Sequence, residues 1–257
     1  MRQAFIRAIW GFEANVKNNY HTRDKILKEI ELHKKCKYQQ PFIVYCWGTD
    51  NYNFIDAQKI PNCTLHLVSP NPSQWPNEIH WRHKLEVFKL AMKEYDEIVF
   101  LDWDTFPIAP LPTDFWDTLR KGSAIKASLI KYKIGGRSSP YWRNTNKDLA
   151  VGAAWVYMRD KTIPDGIIKT WEDLGRNWSE EQALTKYLDD RGGGWKGRRH
   201  YLKTFEPIFF YHHRGQATRP LWPGWVIKNK RTCFRHMGIV GPESRTLDIK
   251  SLEWLNV

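Results

Sequence analysis

The sequence predicts an α/β domain organised around a mostly parallel central sheet. Glu97-Ile98-Val99-Phe100-Leu101-Asp102-Trp103-Asp104-Thr105 runs four apolar residues straight into two aspartates, the pattern of a strand buried on both faces that ends in polar residues. Upstream of it, short β-branched or aromatic runs alternate with helically spaced segments, the rhythm of α/β units. A chain of 257 residues is long enough for one large domain of this kind with a substantial core.

Taken in order, residues 4–11 (Ala-Phe-Ile-Arg-Ala-Ile-Trp-Gly) read as a first strand ending in a glycine turn. Residues 12–21 are polar and loop-like. Thr22 is placed to cap a helix to about Lys35, with Ile26, Leu27, Ile30 and Leu32 as its apolar positions. Residues 41–47 form a second strand, closed by a turn at Gly48-Thr49-Asp50, and 63–68 a third, followed by a Pro-rich loop at 70–76. Residues 80–95 carry Leu85, Phe88 and Met92 at helical spacing and lead into the Asp102 strand. The order strand, helix, strand, strand, helix, strand is that of a nucleotide-binding α/β half.

Beyond Pro107 and Pro110 the pattern predicts a short helix at 113–120, a strand at 123–130 and a long basic surface loop at 131–147. A strand follows at 149–157, with Gly152 where a ligand or neighbouring strand approaches closely. Helices are expected at 164–174 and 179–188, the second opened by a Ser179/Gln182 capping box. Gly192-Gly193-Gly194 reads as a turn, 208–211 as a strand running into His212-His213, and 214–257 has little periodicity and is expected to wrap over the active face.

Cys36, Cys46, Cys63 and Cys233 are scattered without a CxxC pair, so reduced thiols are expected rather than a zinc site or a disulfide framework. The N-terminus carries no signal-peptide apolar region, and no stretch approaches the roughly 20 apolar residues of a membrane span. The expectation is a cytoplasmic protein, in the host cytoplasm if its source is viral. Charge says more. Forty Lys and Arg against 28 Asp and Glu give +12. From Arg191 to Pro242 the only acid is Glu206, and Thr118 to Lys147 has none. Charge runs are commonly solvated faces. Here aromatic residues, among them Trp142 and Trp195, interleave with the bases, which favours a polyanionic partner such as nucleic acid.

Asp102 and Asp104 flank one residue, so in an extended chain their side chains point the same way. At the C-terminal end of a parallel strand, two carboxylates suit a hard cation, Mn2+ or Mg2+, which in turn holds a diphosphate. The alternative is that they merely end the strand before Pro107.

Four stretches, in this order and spacing, resemble the GT-A glycosyltransferases, and among them the glycogenin-like and bacterial galactosyltransferase-like enzymes. Lys84-Leu85-Glu86-Val87-Phe88 followed by residues 95–105 is similar to that family's Lys-Leu helix and Asp-x-Asp strand. Val151-Gly152-Ala153-Ala154 stands where the family has a glycine-containing strand under the sugar. Residues 177–184, with Glu180, Glu181 and Gln182, resemble its acidic-Gln helix start. His212-His213-Arg214-Gly215 and Arg219-Pro220-Leu221-Trp222 resemble its metal-binding His-x-x-Gly and Lys-Pro-Trp region.

The resemblance covers most of residues 1–225. It implies a single GT-A, Rossmann-like domain with a mixed, mostly parallel sheet flanked by helices and a basic C-terminal extension. Within it, 1–106 would be the nucleotide-binding half, 107–225 the acceptor and sugar half, and 226–257 the extension.

The resemblance implies a metal-dependent glycosyltransferase using a nucleoside-diphosphate sugar. Asp102, Asp104 and His212 would hold Mn2+ or Mg2+, with His236 a competitor for the third position. Trp10, Asp50, Arg82, Lys84, Asp102, Gly152, Gln182 and Arg219 would contact the donor. Glu181 would be the sugar-side carboxylate, and in an inverting enzyme either Glu180 or Glu181 the general base. Trp142, Arg143, Trp195, Arg198 and Arg199 are candidates for the acceptor. The basic stretches favour as acceptor a hydroxylated base in DNA, of the sort some viral glycosyltransferases modify, over a lipid-linked or surface glycan touched through acidic membrane. A non-catalytic nucleic-acid-binding module would have the basic stretches but no use for Asp102 and Asp104.

Overall fold

The computed structural model describes residues 1–10, 23–36, 38–69, 80–131, 149–175, 179–192, 209–212 and 233–236. A six-stranded sheet has the order β3-β2-β1-β4-β7-β6. Its strands are β1 (Gln3–Ile9), β2 (Phe42–Trp47), β3 (Cys63–Val68), β4 (Glu97–Leu101), β6 (Ile125–Lys131) and β7 (Leu149–Met158). β1 pairs parallel with β2 and β4, and β2 parallel with β3, while β7 runs antiparallel to both β4 and β6. The mixed, mostly parallel α/β sheet that the sequence predicts is thus formed.

Alternation along the central strands divides two cores. On one face Ala4, Ile6, Ala8, Ile98 and Phe100 meet α3 (His80–Glu94), α5 (Ile163–Asp173) and α6 (Glu180–Gly192). On the other, Phe5, Ile9, Val99 and Leu101 meet α1 (Arg23–Lys35), α2 (Thr49–Ala57) and α4 (Phe115–Arg120). Leu85, Phe88 and Met92, the positions expected to form the apolar stripe of α3, are at most 1% exposed. Each fully buried side chain of this size contributes about 1.5–3 kcal/mol.

Three elements depart from the sequence expectation. The turn at Gly48-Thr49-Asp50 opens α2, whose polar sequence buries only Asn51 and Ile55. Its first turn is tied to the strand before it, with Asn51 Nδ2 donating to the Trp47 carbonyl at 2.5 Å. Two further strands, β5 (Thr105–Pro107) and β9 (Phe234–His236), pair antiparallel, and β8 (Phe210–His212) joins β9 in parallel as a second, three-stranded sheet. Three-residue strands are too short to show a period in sequence. This small sheet sits on the second core, where Phe210 stacks on Trp155 at 4.2 Å and on Phe234 at 5.1 Å. Among the described residues no helix is long and apolar enough to cross a membrane.

Candidate active site

From β1 the chain order runs outward to β2 and β3 on one side and to β4 on the other. This topological switch point, at the C-terminal ends of the parallel strands, is where open α/β sheets form a ligand crevice. Trp10 follows β1 there, Asp102 follows β4, and Asp50, exposed, lies in the first turn of α2 after β2. Because β7 is antiparallel to β4, its N-terminal half arrives at the same end, and the Asp102 amide donates to the Ala154 carbonyl at 2.9 Å. Gly152 lies buried on β7, beside the irregularity in its pairing with β6. The N-terminus of α6 completes the group.

Lys84 joins these elements. Projecting from α3 and 3% exposed, its Nζ donates to Asp102 Oδ1 at 2.7 Å and to Glu180 Oε1 at 3.1 Å, above the Phe100 ring. Burial alone would lower the pKa of this ammonium, but Asp102 and Glu180 outweigh it and raise it. One cation thus serves two carboxylates. Asp102 is the nearer and is 29% exposed, whereas Glu180 is almost enclosed, and its Oε2 has no hydrogen-bond partner. Burial, only partly offset by Lys84 and reinforced by Glu181 and Asp102, pushes the Glu180 carboxyl up to about 7.

Glu181 takes a different direction because adjacent helical residues diverge by about 100°. Its Oε1 accepts the Ala153 amide at 3.2 Å, and its carbonyl accepts the Thr185 hydroxyl at 2.7 Å, while that hydroxyl also receives the Val151 amide at 3.0 Å. Both glutamates therefore stand at the β4–β7 end of the crevice, Glu180 within it and Glu181 along β7. Gln182 closes the capping box, with Oε1 accepting the Ser179 amide at 2.8 Å and the Ser179 hydroxyl accepting the Gln182 amide. The assignment of Gln182 as a donor contact has this local bond beside it.

The Asp-x-Asp stretch is not extended. β4 stops at Leu101, and the Thr105 amide closes a turn onto the Asp102 carbonyl at 2.9 Å. Alternation across Asp102 and Asp104 does not apply to a turn, and the two residues differ in exposure: Asp102 is half-buried and Asp104 is 6% exposed. Two contacts that sequence reading missed hold this turn. Arg7, in the middle of β1, donates from Nη1 to the Asp102 carbonyl at 2.5 Å and from Nη2 to the Thr105 carbonyl at 2.7 Å. Trp103 Nε1 donates to the Ala8 carbonyl at 2.9 Å. The only sequence signal was an arginine inside an otherwise apolar strand.

The second sheet brings both candidate histidine positions to the same level. Thr105 pairs with His236, and His236 with His212, so the residue after Asp104 is in register with the two. Among the described residues no three His, Cys, Asp or Glu side chains form a metal cluster. The donor types nevertheless suit a hard or borderline cation: carboxylates from the turn, and imidazoles from strands whose backbones run beside it.

Arg82 points its guanidinium to Glu86 at 2.6 Å and Glu172 at 2.9 Å, an ion-pair network between α3 and α5. Trp10 stacks against His83, whose ring meets Trp47 edge-on, giving a row of flat rings along the ends of β1 and β2. Trp142, Arg143, Trp195, Arg198, Arg199, His213 and Arg219 lie outside the described residues.

No protein-family model matches the sequence, and no curated protein matches it. Among solved structures, the chain is similar to a glycosyltransferase involved in the glycosylation of the major capsid of PBCV-1, with 10% identity, TM-score 0.49, and 95% of this chain and 97% of that one covered. It is also similar to the galactosyltransferase LgtC in complex with donor and acceptor sugar analogs, with 15% identity, TM-score 0.49, and 93% and 87% covered.

Proposed function

We propose that this chain is a metal-dependent glycosyltransferase that moves a sugar from a nucleoside diphosphate to an acceptor hydroxyl. The observation that carries the reading is convergence: Asp102, Lys84, Glu180 and Glu181, drawn from β4, α3 and α6, meet at the switch point of the sheet across as many as 96 residues of sequence. A strand that merely ended in acids would not need a buried lysine bonded to one of them.

Asp102 and Asp104 would hold Mn2+ or Mg2+, with His212 or His236 as the further ligand. When bound, the ion supplies Lewis-acid neutralisation of the diphosphate leaving group. Lys84 holds the Asp102 carboxylate in place and adds fixed positive charge at the crevice floor. Trp10 and the rings of His83 and Trp47 offer flat faces to a nucleobase. Glu181, anchored by the Ala153 amide, is set along β7 to bind donor hydroxyls or to stabilise positive charge at the anomeric carbon. Glu180, holding its proton up to about pH 7, is able to exchange one near neutrality, as a general base for the acceptor hydroxyl must.

The acceptor is proposed to be a hydroxylated base in DNA, on the support of the +12 charge and the two acid-poor stretches. Such a base would have to be flipped out to reach the crevice. A lipid-linked or surface glycan is the competing acceptor.

The reaction class is tested by hydrolysis of UDP- and GDP-sugars with and without Mn2+, for wild type beside Asp102→Asn and Asp104→Asn. Metal-dependent turnover is expected in wild type and a loss of about a hundredfold or more in each variant. Failure to turn over any nucleotide-sugar, with DNA binding unchanged in the variants, would leave a binding module and sink the enzyme reading.

A further inference from the structure

Arg7 is an expensive residue in its place. It is 1% exposed in the strand at the centre of the sheet, between Phe5 and Ile9, which belong to the apolar core on that face. Its guanidinium lies 5.2 Å from the ring centroids of both Phe42 and Trp103, and its Nε has no hydrogen-bond partner. Burial pulls the group down to about 10 against the opposing charges of Glu29, Asp102 and Asp104, so it remains cationic at neutral pH.

Desolvating a guanidinium costs several kcal/mol, and an apolar side chain of similar volume commonly packs such a site as well or better. Stability of the strand therefore does not account for an arginine. Its two hydrogen bonds do. They go to the carbonyls of Asp102 and Thr105, the first and last residues of the turn that carries both aspartates. A planar fork can hold two carbonyls at a fixed separation, which a single ammonium cannot. With Trp103 pinned to the Ala8 carbonyl, Asp102, Trp103 and Thr105 are each hydrogen-bonded to β1, and Asp104 lies between two of them.

We propose that Arg7 is a positioning residue that clamps the Asp102–Thr105 turn and thereby sets how Asp102 and Asp104 are presented to a divalent cation. It acts through the backbone and touches no substrate. The inference rests on the reading that these two aspartates bind the metal.

The test is Mn2+ affinity, read from the electron paramagnetic resonance signal of free Mn2+, in the full chain. Arg7→Met removes both donors, Arg7→Lys keeps the charge, and Arg7→Met with Glu29→Gln also removes the buried carboxylate that most strongly opposes the desolvation of Arg7. Unfolding by circular dichroism accompanies each. Folded Arg7→Met, alone or with Glu29→Gln, is expected to bind Mn2+ about ten- to a hundredfold more weakly, the range for losing a residue that orients a metal ligand. Arg7→Lys is expected to recover part of the loss. In nucleotide-sugar hydrolysis the half-saturating Mn2+ concentration should rise more than kcat at saturating Mn2+ falls. Wild type binding Mn2+ and either folded methionine variant binding it equally well overturns the inference alone; if neither folds, unchanged affinity in Arg7→Lys does so. Wild type that binds no Mn2+ overturns the metal reading and takes the inference with it.

Discussion

Adjacent on α6, Glu180 and Glu181 leave the helix on different sides, and the consequences are electrostatic. Glu180 enters an enclosed space where burial, only partly offset by the one ammonium it shares with Asp102 and reinforced by the neighbouring carboxylates, favours a proton on its carboxyl. Its folded pKa of about 7 lies above the ordinary value of 4.5. The folded chain therefore binds that proton more tightly than the unfolded one, and the resulting stability is fully present below pH 4.5 and lost as pH rises through about 7. Over that window wild type is expected to lose about 3 kcal/mol more unfolding free energy than Glu180→Gln, which has no proton to release. Urea melts at pH 4.5, 6 and 7.5 read this directly, and equal slopes in the two proteins would refute it. Sequence showed two glutamates at a helix start. Which of them is buried depended on the phase of α6 against β7 and α3, settled by contacts of Lys84 and Ala153 more than 27 residues away along the chain.

Helix α6 keeps that phase because it packs tightly on α5. Gly166, in the middle of α5, leaves no room for a methyl group: a Cβ there would come within 2.4 Å of the buried Tyr187 ring. Alanine gains about 1 kcal/mol in intrinsic helix propensity over glycine. Overpacking against a buried ring costs about 1–3 kcal/mol, so Gly166→Ala is expected to lower the melting temperature although it improves the helix on its own. A rise in melting temperature would show that the two helices separate freely. The long, periodic elements were legible: α1, α3, α5 and the strands of the large sheet lie within a few residues of where apolar spacing puts them. The helix α2 was not, because Thr49-Asp50-Asn51 favours turns by local hydrogen bonding and is helical here through contacts with β2. Nor were β5 and β9, three-residue strands that form only through pairing within the second sheet.

For the whole molecule the question is where the positive charge goes. In the first acid-poor stretch, Arg120 is committed to Glu97 and Asp117, and Lys126 is buried with its ammonium on the Lys121 carbonyl. Glu97 opens the strand that Asp102 follows, so Arg120 stands at the end of the sheet away from the crevice. These two bases are structural. A DNA acceptor must therefore be gripped by the others, and DNA affinity should fall with salt at a log–log slope of about −0.9 for each phosphate they neutralise. Sugar should enter hydroxymethylated but not plain DNA. Transfer to a glycan with no DNA affinity at low salt would reverse the assignment of the acceptor.

Apolar periodicity in the sequence alone determined the α/β class, the order of the long elements and the place of Asp102 at a strand end, since burying alternate or every fourth side chain is a property any window of the chain displays. Tertiary structure decided the rest. It made the Asp102–Asp104 stretch a turn rather than an extended segment, placed Arg7 beneath it, gave Lys84 to two carboxylates at once, and set His212 and His236 in register with Thr105. Each of these is a contact between residues far apart in the chain, where the energy depends on the distance in space and leaves no local period to be read.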